Sequence, residues 1–127
     1  MAAETKARKR RKKRVPIEAV LTSDFDPSAL SEKDLQRAVM RAYQDAGWLA
    51  FHEFDSRFST SGFPDVFAVH PTTGHSHFVE LKSAKGKLRA EQVEWIAALE
   101  RAGHEVFVLR PEQLPQHLHW IEHHSQG

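Results

Sequence analysis

Residues 61–82 read SGFPDVFAVHPTTGHSHFVELK, and their pairing sets the architecture of the chain. Asp65 to His70 and His75 to Lys82 are rich in β-branched and aromatic residues, while the PTTG between them has the composition of a turn. An antiparallel hairpin across that turn sets His70 opposite His75. Paired residue numbers then sum to 145, which places Asp65 opposite Glu80. Directly opposed residues hold their Cβ atoms about 4.5–5.5 Å apart on one face, where like charges repel. Lys82, two residues beyond Glu80, shares that face. A slip of one residue would undo the arrangement.

Upstream, Ser31 opens SEKD with an N-cap hydroxyl and an acid three residues on. Leu35, Val39, Tyr43 and Ala46 then follow at helical spacing until Gly47. Trp48 to Glu53 reads as a strand, and Phe54 to Gly62 as a loop. Downstream, Leu88 to Ala102 is a helix with Val93, Ile96, Ala97 and Leu99 on or near one stripe and Gly103 at its end. His104 to Leu109 is a further strand closed by Pro111, and residues 112–124 have room for a short last helix. The order is α-β-β-β-α-β-(α): an α/β fold with a central sheet flanked by helices. Residues 15–30 carry two prolines and no sustained period, and read as a loosely packed lead-in. Trp48, Trp95 and Phe107 are core candidates.

Charge divides the chain. Residues 6–14 read KARKRRKKR, whereas residues 15–127 hold ten Lys and Arg against sixteen Asp and Glu. Such a run repels itself and buries nothing, so residues 1–14 are expected to be a disordered tail, with 15–30 as lead-in and 31–127 as the domain. Arg8, Lys9, Arg10, Arg11, Lys12, Lys13 and Arg14 suit an arm for nucleic acid, since clustered cations displace counterions from phosphates. A nuclear-import signal or a solubilising tail are the other readings. Cysteine is absent, which excludes disulfides and a catalytic thiol and fits a reducing compartment. No apolar run approaches the roughly 18 residues that span a membrane. An intracellular protein, cytoplasmic or DNA-associated, is expected.

Two opposed carboxylates beside an ammonium suit a hard divalent cation. Mg²⁺ prefers oxygen and is usually held by one or two carboxylates plus substrate phosphates. Alone, a Pro-Asp or a Glu-X-Lys is most often a turn acid or an exposed ion pair. At hairpin-compatible spacing, behind Gly62-Phe63-Pro64, the two together point to phosphodiester hydrolysis. His117, His119, His123 and His124 follow no defined zinc spacing.

Through Pro64-Asp65 and Glu80-Leu81-Lys82 the sequence resembles the PD-(D/E)XK nuclease superfamily. It looks most like the VRR-NUC branch, found as stand-alone phage and bacterial proteins and as the nuclease domain of the Fanconi-associated nuclease. The similar text is SEKDLQRAV (31–39), AGW (46–48), SGFPDVFAV (61–69), FVELKSAKGKLRAEQVEWIAAL (78–99) and AGHEVFVLRP (102–111). The tail and lead-in lie outside it. The resemblance implies a restriction-endonuclease-like mixed sheet, Mg²⁺ or Mn²⁺ as cofactor, and endonuclease action on branched DNA such as Holliday junctions or flaps by a homodimer. It makes Asp65 and Glu80 metal ligands, with the Leu81 carbonyl as a third and Glu32 or Gln36 as a candidate from the first helix. Lys82 becomes the catalytic lysine and Gln92 a catalytic-site glutamine. Lys85, Lys87 and Arg89 are candidates for phosphate contacts, and His52 and Arg57 for lying near the site. The alternative is a DNA-binding or recruitment module on the same fold with weak or no catalysis.

Overall fold

The computed structural model describes residues 16–22, 24–53 and 61–126. The expectations for the basic tail, for most of the loop 54–62 and for Arg57 lie outside them. The elements are α1 (Ile17–Leu21), a 3₁₀ turn (Pro27–Ala29), α2 (Glu32–Asp45), β1 (Leu49–His52), β2 (Val66–Val69) and β3 (Ser76–Leu81). They continue with α3 (Ala90–Arg101), β4 (Val106–Leu109), a second 3₁₀ turn (Pro111–Gln113) and α4 (Leu114–His123).

The strands form one mixed sheet in the order β1-β2-β3-β4, antiparallel except for the β3–β4 pair. A parallel neighbour needs a crossover, and α3 supplies it between β3 and β4. In the central hairpin Val66 faces Val79 and Val69 faces Ser76, so paired numbers sum to 145 as the sequence requires. The His70 N–H donates to the His75 carbonyl at 2.8 Å and closes the turn.

Alternation along the strands gives the sheet two different faces. One carries Val66, Ala68, Val79, Leu81 and Leu109, all buried against Leu35, Ala38, Val39 and Tyr43 of α2 and Leu114 and Ile121 of α4. Ser31 and Asp34 close a reciprocal capping box that starts α2, and Gly47, at φ +85°, follows its end. Trp48 joins this core as expected, with Phe107 packed against it. The Tyr43 hydroxyl is 2.6 Å from His77 Nε2 and 2.9 Å from His117 Nε2, so one polar group ties α2, β3 and α4 together.

The other face is covered more thinly, by α3. Only Gln92 of that helix is buried; Trp95, Ile96 and Leu99 are half-buried and Val93 is exposed. The expected apolar stripe is thus rotated, because α3 lies over a sheet face that carries polar groups as well as Phe78. The lead-in also differs from expectation. Val20 and Leu30 are buried in the main core, and α1 packs on α2, so scattered apolar residues without a period anchor this segment tightly.

Candidate active site

Asp65 immediately precedes β2, and Glu80 and Lys82 sit at the end of β3 on the α3 side of the sheet. The hairpin register brings the two carboxylates together. Upstream, Gly62 has φ +89°, and a Cβ there would stand 2.5 Å from the Glu91 carbonyl carbon. Residues leading to Asp65 therefore pass directly against the first turn of α3. Phe63 fixes the same junction, its ring edge-on to Trp95 at 5.0 Å and to Phe78 at 5.7 Å between centroids. Glycine is required here by conformation and by space.

Each carboxylate has a distinct environment. The Leu81 N–H donates to Asp65 Oδ2 at 2.8 Å. Glu80 is 1% exposed, and its Oε1 accepts from Gln92 Nε2 at 2.8 Å. The Gln92 carbonyl oxygen accepts the Arg89 backbone N–H at 2.8 Å, which leaves its amide nitrogen to face Glu80. Glu80 Oε2 is buried without a hydrogen-bond donor among the described residues. Burial, followed by the charge and close approach of the Asp65 carboxyl, pushes Glu80 up to about 8; Lys82 pulls it back, and Glu32 raises it slightly further.

Lys82 is itself buried, its chain running under Gly86. The loop after it is held by Arg110, a residue that no sequence motif singled out. Its Nη1 donates to the carbonyls of Ser83 at 2.9 Å and Gly86 at 2.6 Å. Parallel pairing of Leu81 with Leu109 sets Arg110 beside Lys82, a neighbourhood legible only once β4 is known to flank β3.

Of the two first-helix candidates, Glu32 is close enough to influence Glu80, whereas Gln36 lines a separate cleft with Ile17, Met40 and His52. His52 pairs with Val66 and so shares the opposite sheet face from Asp65. Lys85 lines a cleft with Glu32 and Ser83; Lys87 and Arg89 are exposed on the approach to α3. Among the described residues no group of three His, Cys, Asp or Glu side chains is placed to hold a metal.

The VRR-NUC family model matches residues 3–113, from the basic tail through the 3₁₀ turn that follows β4. This chain belongs to the VRR-NUC family. The match takes in the tail and the lead-in, which the motif resemblance left out. No curated protein and no solved structure matches the chain. The VRR-NUC domain has a restriction-endonuclease-like fold, as the four-stranded mixed sheet between helices bears out, and its family membership implies nuclease activity on DNA. Among the described residues no helix is long and apolar enough to cross a membrane.

Proposed function

We propose that this VRR-NUC domain is a Mg²⁺- or Mn²⁺-dependent endonuclease that cuts branched or flapped DNA, with Asp65, Glu80 and Lys82 as its catalytic set. The observation that carries this reading is the pairing of half-buried Asp65 with fully buried Glu80, whose Oε2 has no hydrogen-bond partner among the described residues. Buried polar groups are nearly always satisfied, so an orphaned carboxylate oxygen beside a second carboxyl suits a cation. Asp65 and Glu80 would hold it; Glu32 of α2 lies near enough to act on Glu80 but completes no three-residue cluster with them among the described residues. A strand residue's N–H and C=O leave on the same edge, and the Leu81 N–H already points to Asp65, which suits its carbonyl as a third ligand. Two protein carboxylates match the usual Mg²⁺ site, which leaves positions for substrate phosphate and water. When bound, the ion supplies Lewis-acid polarisation of a phosphoryl oxygen and lowers the pKa of a water.

The protein's own groups do the rest. Lys82 places a fixed positive charge where charge accumulates on the phosphoryl group. Gln92 orients Glu80 by donating to its Oε1. Arg110 holds the loop that follows the lysine.

A homodimer would place two such sites for paired cuts. Leu49 and Phe51 on the edge strand β1 are 63% and 59% exposed, on the face not covered by α2, and offer a second copy an apolar surface. Leu49→Glu/Phe51→Glu should convert a dimer to a monomer in sedimentation; a wild-type monomer at micromolar concentration would refute this part. The main test is a panel of labelled four-way junction, flap, single-strand and linear duplex DNA with Mg²⁺ or Mn²⁺. Cleavage should favour the branched substrates and vanish with EDTA or Asp65→Ala, while that variant still binds. Binding without metal-dependent cutting by the intact chain would instead identify a recruitment module.

A further inference from the structure

Residues 28–33 and 83–85 face each other across a cleft of about 680 Å³. Ser28, Ser31 and Lys33 line one wall, and Ser83 and Lys85 the other. We propose that this cleft is a phosphate-binding subsite that guides the DNA strand away from the scissile bond. The proposal rests on the nuclease reading and adds a path for the substrate.

Three observations carry it. First, the cleft adjoins the catalytic set: Ser83 follows Lys82 directly, and Glu32, whose charge is felt at Glu80, lies on its wall. Second, its chemistry is that of a polyanion track. Beyond the tail the chain holds an excess of acids, so DNA can approach the domain only where cations gather. Here the Lys33 and Lys85 ammonium groups flank a groove that also holds the Glu32 carboxylate and the Ser31 and Ser83 hydroxyls, while the Ser28 hydroxyl donates to Asp26 Oδ1 at 2.9 Å. Ser31 Oγ accepts the Asp34 N–H at 3.0 Å, a bond that does not use its own proton. Third, the wall from Ser83 to Gly86 is fixed from behind by Arg110, so little ordering is needed when a strand enters.

The test measures binding of a fluorescent flap DNA in EDTA across a salt series, using the full chain. Removing one cation that neutralises a phosphate lowers the slope of log K against log salt by about 0.7 for a single strand and about 0.9 for duplex. Lys33→Gln/Lys85→Gln should therefore flatten the slope by roughly 1.4–1.8. The charge-matched control Arg41→Gln/Arg101→Gln, outside the cleft, should leave it near the wild-type value. Equal slopes for the two double variants overturn the proposal. A second measurement exploits the absence of cysteine. Ala84→Cys, on the cleft wall, should cross-link to DNA carrying a thiol-reactive group on a backbone phosphate, and Ala102→Cys should not. Equal or absent cross-linking at both positions overturns it as well. Metal-dependent cleavage with an unaltered slope refutes the cleft alone. A flattened slope without cleavage refutes the nuclease reading alone.

Discussion

Replacing Glu80 by Gln should stabilise the metal-free protein while abolishing its cleavage. Glu80 ionises near 4.5 in the unfolded chain and near 8 when folded, because burial and the Asp65 carboxyl both penalise its charge. Folding raises the value, so Glu80 favours the folded state fully below pH 4.5, and that contribution is lost as pH rises through 8. At pH 7 the folded protein must take up a proton that the unfolded chain has released. At 1.36 kcal/mol per pH unit this costs about 3 kcal/mol, and about 5 kcal/mol above pH 8. Gln has nearly the same shape and keeps the acceptor for Gln92, while its amide can donate toward Asp65. Glu80→Gln should then match wild type near pH 4, exceed it by about 3 kcal/mol at pH 7, and exceed it further at pH 9. Urea unfolding in EDTA reads this as a midpoint shift of about 1–3 M at pH 7 for slopes of roughly 1–3 kcal/mol/M. Mg²⁺ should stabilise wild type but not the variant, with proton release below pH 8. A difference that is absent, reversed or independent of pH would overturn this account of Glu80.

Gly62→Ala should cost about 1–2 kcal/mol for its backbone conformation alone and also push α3 off Asp65, lowering cleavage. Gly74→Ala, at φ +76° with nothing within 4 Å, should lose stability without losing cleavage rate; equal kinetic effects of the two would contradict the packing argument. Burial lowers His77 to about 3, with His117, His75 and His124 adding to it, and burial lowers His117 to about 4. The folded state thus holds both neutral, and the unfolded chain binds more protons below pH 6.5. Stability should fall as pH drops from 6.5 toward 4, by about 2 kcal/mol per histidine at pH 5. Urea midpoints in the Glu80→Gln background, where the opposing carboxyl contribution is gone, check this; a flat profile would contradict it. Arg110→Gln should lower kcat and, because Arg110 also braces the Ser83–Gly86 wall, weaken DNA binding, measured by single-turnover cleavage and by binding in EDTA. An unchanged kcat would remove Arg110 from the positioning of Lys82.

Local patterning determined much of this protein. Turn residues at 71–74 between two β-rich runs fix the hairpin register, because side chains alternate with period two and a slip would expose Val66 and Val79. That register alone opposes Asp65 to Glu80. The Ser31 capping box and the glycine after α2 were likewise legible, since both act within a turn of chain. What the sequence left open concerns contacts between distant segments. Which side of α3 is buried, which of Glu32 and Gln36 approaches Glu80, and what holds the loop beyond Lys82 all depend on how helices lie on the sheet. Val93 fits an apolar stripe yet is exposed, because the face beneath α3 is partly polar and draws in Gln92 instead. Pairing along one hairpin is encoded by neighbours in sequence. The burial that shifts Glu80, and the Arg110 bonds at 2.9 and 2.6 Å, arise only when β4 and α3 close over β3.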